Sequence, residues 1–158
     1  MTNPVGGFTK QVAPVLEVTA SSAYSSGDVL GGALELPAAV RHAGASAILN
    51  TLLVTDVEEQ DAAIELLIFD REPTQTYTDH EACPELDEDI AFLIAKVTIA
   101  NGDYVSVGGL AINDISGLGR PLKAAKGVSS LWVVPVLGGT PTYGATTDVR
   151  MLFAFLQD

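Results

Sequence analysis

The chain has 158 residues, 47% of them apolar and 18% charged, which suits one hydrophobic core and leaves no room for a second. Its 20 acidic residues against 8 basic ones give a formal charge of −12, which makes a phosphate backbone, gripped by Lys and Arg, a poor partner. A mean hydropathy of +0.31 argues against an acidic disordered tail and raises the question of where so much apolar surface is placed.

The single Cys83 rules out an intramolecular disulfide, so the core alone must hold the fold. Met1 to Gln11 lacks a basic segment followed by an apolar run, and Gly6-Gly7 would interrupt one, so no standard secretory signal is expected. The longest stretch without charge, Val128 to Thr147, is broken by Pro135, Pro141 and several glycines and does not suit a membrane helix. Before Pro14 the sequence is polar and Gly-rich. It reads as an extended arm over residues 1–13, with residues 14–158 as one domain.

Hydrophobic alternation and recurrent turn signals predict an all-β sandwich of about eight strands. Val15 to Val18 predicts a first short strand, and the Ser-rich run to Asp28 a loop. Val29 to Leu36 predicts a second strand, with Gly31-Gly32 marking a bulge or a close backbone approach and Pro37 ending it. After a turn at His42-Ala43-Gly44, Ala47–Thr55 and Ile64–Phe69 predict two strands joined as a hairpin by the acidic turn Asp56 to Asp61. Asp70 to Glu85 is a long polar loop. Asp87, Glu88 and Asp89 then favour a helix start, and Ile90, Leu93 and Ile94 fall on one helical face, predicting one short helix. Ala95 to Ala100 predicts a strand, and Asn101-Gly102 a type I′ turn folding Asp103–Val107 straight back on it. Gly108-Gly109 allows a bulge or bend before Leu110–Ile112. A short strand at Leu122–Ala124 leads into Ser130–Leu137, and a last strand is predicted at Val149–Leu156. With no internal repeat, this pattern suits a jelly-roll or Greek-key sandwich, in which the last strands pair with sequence-distant partners. Immunoglobulin topology would bring a Cys and Trp core signature, and Trp132 stands alone.

Each candidate for chemistry has a plainer structural explanation. The acids from Asp56 to Asp89 could supply calcium ligands or a glycosidase pair, but no calcium-loop spacing is present, and a surplus of acids is usually a solvated surface. His80 and Cys83 could share a metal, yet no second pair completes a site. The run Ser116-Gly117-Leu118-Gly119-Arg120 lacks the Gly-Lys-Thr of a phosphate loop, and no Gly-x-Ser-x-Gly elbow exists. No catalytic residue, cofactor or metal ligand is therefore assigned, and the chain is not expected to be an enzyme.

Two features point to partners instead. Arg120, Lys123 and Lys126 gather much of the positive charge in one segment, which suits contact with an acidic partner or a solvated hairpin. The last strands are apolar on both faces: Val149, Met151, Phe153 and Phe155 oppose Leu152, Ala154 and Leu156, and Leu131, Val133 and Leu137 oppose Trp132, Val134 and Val136. A sandwich strand needs one apolar face, so the second must be covered by the arm, a loop or another subunit. The expectation is an oligomer face including Leu131, Val133, Leu137, Leu152, Ala154 and Leu156.

The run Ser22 to Gly32, the segment Ile64 to Thr74, and the ending from Gly139 through Asp158 resemble a family of tailed-bacteriophage virion proteins, the head decoration or cement proteins. The resemblance spans most of the chain after Lys10. It implies a jelly roll on the outer capsid surface, a homo-oligomer (dimer or trimer) bridging major-capsid subunits, made in the host cytoplasm, without cofactor, nucleic acid or membrane as partner. Arg120, Lys123 and Lys126 would then be the capsid contact. The alternative is a carbohydrate-binding or host-adhesion jelly roll, whose platform would be drawn from Tyr24, Tyr77, Tyr104 and Tyr143.

Overall fold

A computed structural model of the protein describes residues 8–157. Its strands, most of them built on alternating apolar residues, follow in the order β1 (Phe8–Val12), β2 (Leu34–Leu36), β3 (Ser46–Asp56), β4 (Ile64–Phe69), β5 (Leu93–Ile99), β6 (Val105–Val107), β7 (Leu110–Ile115), β8 (Arg120–Lys123), β9 (Leu131–Leu137) and β10 (Val149–Gln157). They form two antiparallel sheets. One has the order β1-β10-β3-β7-β6, with β8 also paired to β3, and the other the order β2-β9-β4-β5. With β7 and β8 counted as one position, since both pair with β3, nine positions remain, five in one sheet and four in the other. The two closing strands, β9 and β10, lie between the early ones, as in a jelly roll.

The sheets pack through Leu49, Leu52, Met151, Phe153 and Phe155 on one side and Leu66, Ile68, Leu131 and Val133 on the other, all fully buried. Side chains of this size each contribute about 1.5–3 kcal/mol by leaving water. A β-bulge between Ala154 and Phe155 breaks the β10–β3 register, and the Asn50 carbonyl beside it accepts the Leu118 amide at 2.9 Å.

Several expected local structures give way to this arrangement. Phe8–Val12 is strand β1, paired with β10 from Phe8↔Gln157 to Val12↔Phe153, so the arm expected over residues 1–13 is in this part an edge strand of the domain; residues 1–7 lie outside the described residues. Val15–Val18 is extended with alternating burial but belongs to no strand, and β2 holds only Leu34–Leu36. Gly31 and Gly32, at φ +79° and +94°, interrupt the expected second strand, and a Cβ on Gly32 would stand 3.1 Å from the Tyr77 carbonyl oxygen, a close backbone approach.

The expected hairpin of β3 with β4 is also absent. Both neighbours of β3 are in its own sheet, so the Asp56–Asp61 turn carries the chain across to the other sheet. Asn101-Gly102 does the same between β5 and β6. Gly102 has no positive φ, which a type I′ turn requires, and residues 101–103 form a single 3₁₀ turn. The tight hairpin is β6–β7, where Gly108 and Gly109 (φ +62° and +78°) join Val107 to Leu110 as a type I′ turn would. The expected helix reduces to the 3₁₀ turn Ile90–Phe92, because Leu93 is taken into β5 opposite Phe69 and Asp89 makes no side-chain cap.

Candidate functional site

The two sheets treat their second apolar faces differently. On the β2-β9-β4-β5 sheet, Leu67, Phe69, Val134 and half-buried Trp132 and Val136 point away from the main core and are covered by Tyr77, Cys83, Leu86 and Phe92. The long 70–92 segment therefore supplies this cover from the same chain.

Carboxylates fasten that cover. Asp89 is fully buried and accepts hydrogen bonds from the Thr74 amide at 2.7 Å, the Thr74 hydroxyl, the Gln75 amide at 3.1 Å and the Tyr77 hydroxyl at 2.9 Å. Burial alone would raise its pKa, but these donors outweigh it and hold the carboxyl below its ordinary value. Asp79 accepts from the Thr19 hydroxyl at 2.6 Å, the Tyr24 hydroxyl at 2.8 Å and the Gly31 amide at 2.7 Å, tying the loop to the N-terminal segment. Elsewhere Asp56 accepts from the amides of Glu58 and Gln60, both at 2.9 Å, and Asp148 from those of Gly144 and Ala145. Burial pushes the Asp56 carboxyl up despite these bonds. Part of the acidic surplus is thus spent inside, fixing loops. The Asp56 contact with Glu58 is an Asx turn legible in sequence, whereas those of Asp79 and Asp89 are long-range and leave no local signal.

The outer face of the six-stranded sheet has no such cover among the described residues. Register places Leu152, Ala154 and Leu156 of β10 beside Leu53, Thr51 and Ile48 of β3, and Ile112 and Leu110 of β7 beside Val105 and Val107 of β6. Ile48 is 41% exposed, Val105 62% and Val107 59%, and the others half-buried, which leaves one apolar patch on β10 and β3 and another on β7 and β6, with Asp114 opposite Leu53 and Thr55 opposite Ile112 between them. Of the 20 acidic residues only Asp56, which is buried, and Asp114 lie in its strands, beside Lys10, Arg120, Lys123 and Arg150. The sheet therefore carries four bases and two acids, a net +2, in a chain of −12.

The expected oligomer residues divide between these environments. Leu152, Ala154 and Leu156 lie on the open face. Leu131, Val133 and Leu137 do not: they are at most 2% exposed and point between the sheets, so their face of β9 is core and cannot meet a partner. Ile48, Leu53, Val105 and Val107 complete the open face and escaped sequence reading, because only register shows which apolar side of β3 and β6 joins that of β10.

Arg120, Lys123 and Lys126 are exposed and make no ion pair among the described residues, whereas Arg71 is paired with Asp70 at 2.9 Å and Lys96 with Glu65 at 3.2 Å. Lys123 and Lys126 stand at an open groove of about 690 Å³ with Arg71, Asp70 and Ile94, floored by Ala124 and Ala125.

The other candidates are accounted for locally. Tyr24, Tyr77 and Tyr143 are buried, and the half-buried Tyr104 donates its hydroxyl to the Ala62 carbonyl at 2.9 Å, so they form no exposed stacking platform. A ring nitrogen of His80 lies 3.0 Å from the Ala23 carbonyl oxygen, and burial raises the Cys83 thiol pKa. Among the described residues no three His, Cys, Asp or Glu side chains gather as a metal cluster, and no helix is long and apolar enough to cross a membrane. No family model, curated protein or solved structure matches the chain.

Proposed function

We propose that the protein is a non-enzymatic virion structural protein that decorates the outer surface of a tailed-bacteriophage head. It would act as a homo-oligomer and cement neighbouring major-capsid subunits. The observation that carries this reading is the open face of the six-stranded sheet, apolar and almost free of acid in a chain of −12. Five strand positions at about 4.8 Å, averaging roughly eight residues at about 3.4 Å, make it roughly 600 Å², somewhat under the about 800 Å² that each partner contributes to a stable interface. Its unlikeness to the covered sheet supports the reading further, since the chain supplies its own cover where it needs one. The sequence resemblance supplies the identity of the surface. The burial of the tyrosines removes the feature that favoured a carbohydrate platform.

Electron cryomicroscopy of particles containing the protein tests the proposal. Density for oligomers of the sandwich on the outside of the shell, joined through the β10–β3 face and bridging major-capsid subunits, is expected. Finding the protein only in the tail, or absent from particles, would overturn it. Light scattering on the purified protein tests self-association.

A further inference from the structure

We infer that the groove between the 43–44 turn, Asp70-Arg71, the start of β5 and the end of β8 is a docking site for an extended acidic segment of a partner protein. Identifying that partner as the capsid rests on the function proposed above. The preference for carboxylates rests on the groove.

The first argument is charge. The chain holds 20 acids and 8 bases, yet Lys123 and Lys126 stand at the groove without a carboxylate partner among the described residues. Asp70, the acid that lines it, is occupied by Arg71 at 2.9 Å, and the Arg71 guanidinium also lies 4.3 Å from the Phe92 ring centroid. The pair cancels, and the groove keeps the charge of two lysines. Its complement is an acidic ligand.

The second argument concerns which acidic ligand. Phosphate sites are built from free backbone amides converging on the ion. Here those amides are already used: Ala124 donates to the Ala45 carbonyl at 3.0 Å, Ala125 to that of Asp70 at 3.0 Å, and Gly44 to that of Val128 at 2.8 Å. A volume of about 690 Å³ far exceeds a single phosphate. Nucleic acid is disfavoured as well, since so few cations release few counterions and the rest of the molecule repels the strand. Small Ala124 and Ala125 on the floor and Ile94 on the wall leave room for a main chain with small apolar side chains. Lys123 and Lys126, three residues apart, can meet carboxylates spaced along it.

The test is calorimetric titration of the purified protein with a synthetic alternating Glu-Ala peptide, its Gln-Ala counterpart, inorganic phosphate and a single-stranded oligonucleotide. Expected is saturable binding of the Glu-Ala peptide alone, weakened at least about tenfold by K123E/K126E or by about 0.5 M salt, and unchanged by Arg150→Glu. K123A/K126A, with both side chains exposed, guards against a folding artefact and should show an intermediate loss. No saturable binding, binding undiminished in K123E/K126E, or equal binding of phosphate or oligonucleotide would overturn the inference. Head binding separates the two proposals. Peptide binding as expected by a protein that never attaches to heads would sink the decoration role and leave the groove standing. Attachment to heads without peptide binding would do the reverse.

Discussion

Replacing Asp89 with Ala should release the cover from the β2-β9-β4-β5 sheet. The carboxylate is fully buried and accepts four hydrogen bonds, from two amides and two hydroxyls of residues 74–77. Bonds to a charged group contribute about 1.5–3 kcal/mol each, but exposed Thr74 and half-buried Gln75 regain water in the variant, so their net loss is smaller. The Tyr77 hydroxyl is buried and left without this acceptor, at about 1–3 kcal/mol. The sum is about 3–5 kcal/mol, large against the about 5–15 kcal/mol of an ordinary domain. Trp132 is the only tryptophan and lies under the cover, so its emission should shift to the red at lower urea than the loss of β-sheet circular dichroism. Asp89→Asn keeps the shape but not the charge and should lose about half as much. The sign with pH follows from the lowered pKa. The stabilisation is complete above the unfolded value of about 3.9 and is lost as pH falls through the lower folded value. Wild type should therefore uncover Trp132 progressively in acid, while D89A should show little of that dependence. A D89A midpoint within about 0.5 kcal/mol of wild type, with Trp132 emission unchanged, would refute the fastening role.

Other perturbations separate core from surface. L53D/L152D should keep its circular dichroism and lose no more than about 2 kcal/mol, yet abolish co-sedimentation with heads and any self-association seen by light scattering. Leu131→Ala, fully buried between the sheets, should instead cost about 2–5 kcal/mol in urea unfolding, with association unchanged in the protein that remains folded. Gly31→Ala would hold an L side chain at a φ of +79° and set its Cβ against the Leu16 side chain, so a melting-temperature loss equivalent to about 1–2 kcal/mol is expected.

Strand existence was legible wherever alternation was long. Ile64–Phe69 coincides with β4, and Ala47–Thr55, Ser130–Leu137 and Val149–Leu156 each fall within a residue of β3, β9 and β10 at either end. Pairing was not legible, because a short polar turn between two apolar runs reads alike whether the chain reverses within a sheet or crosses to the other. Asp56–Asp61 and Asn101-Gly102 both cross, and the hairpin sits at Gly108-Gly109 instead. The helix failed for a related reason: the acids expected to begin it include Asp89, whose carboxylate is committed to residues 74–77 and leaves the turn it precedes uncapped. For the candidate site, the basic segment could be found from spacing alone. The apolar face could be half found, since two-sided strands were evident but the side covered from within depends on a loop whose anchors are long-range contacts of Asp79 and Asp89.

The placement of β10 between β1 and β3 has a consequence for how the molecule is made. The strand that bonds to both comes after all the others described, so the edge of β3 that faces it waits through the synthesis of about a hundred more residues, although β7 and β8 pair the other edge earlier. Until β10 is made, the edges of β1 and β3 that it joins stay unpaired, and the waiting chain is open to aggregation meanwhile. Slowing translation ahead of Val149 should lower the soluble yield, and conditions that favour holdase chaperones should restore it.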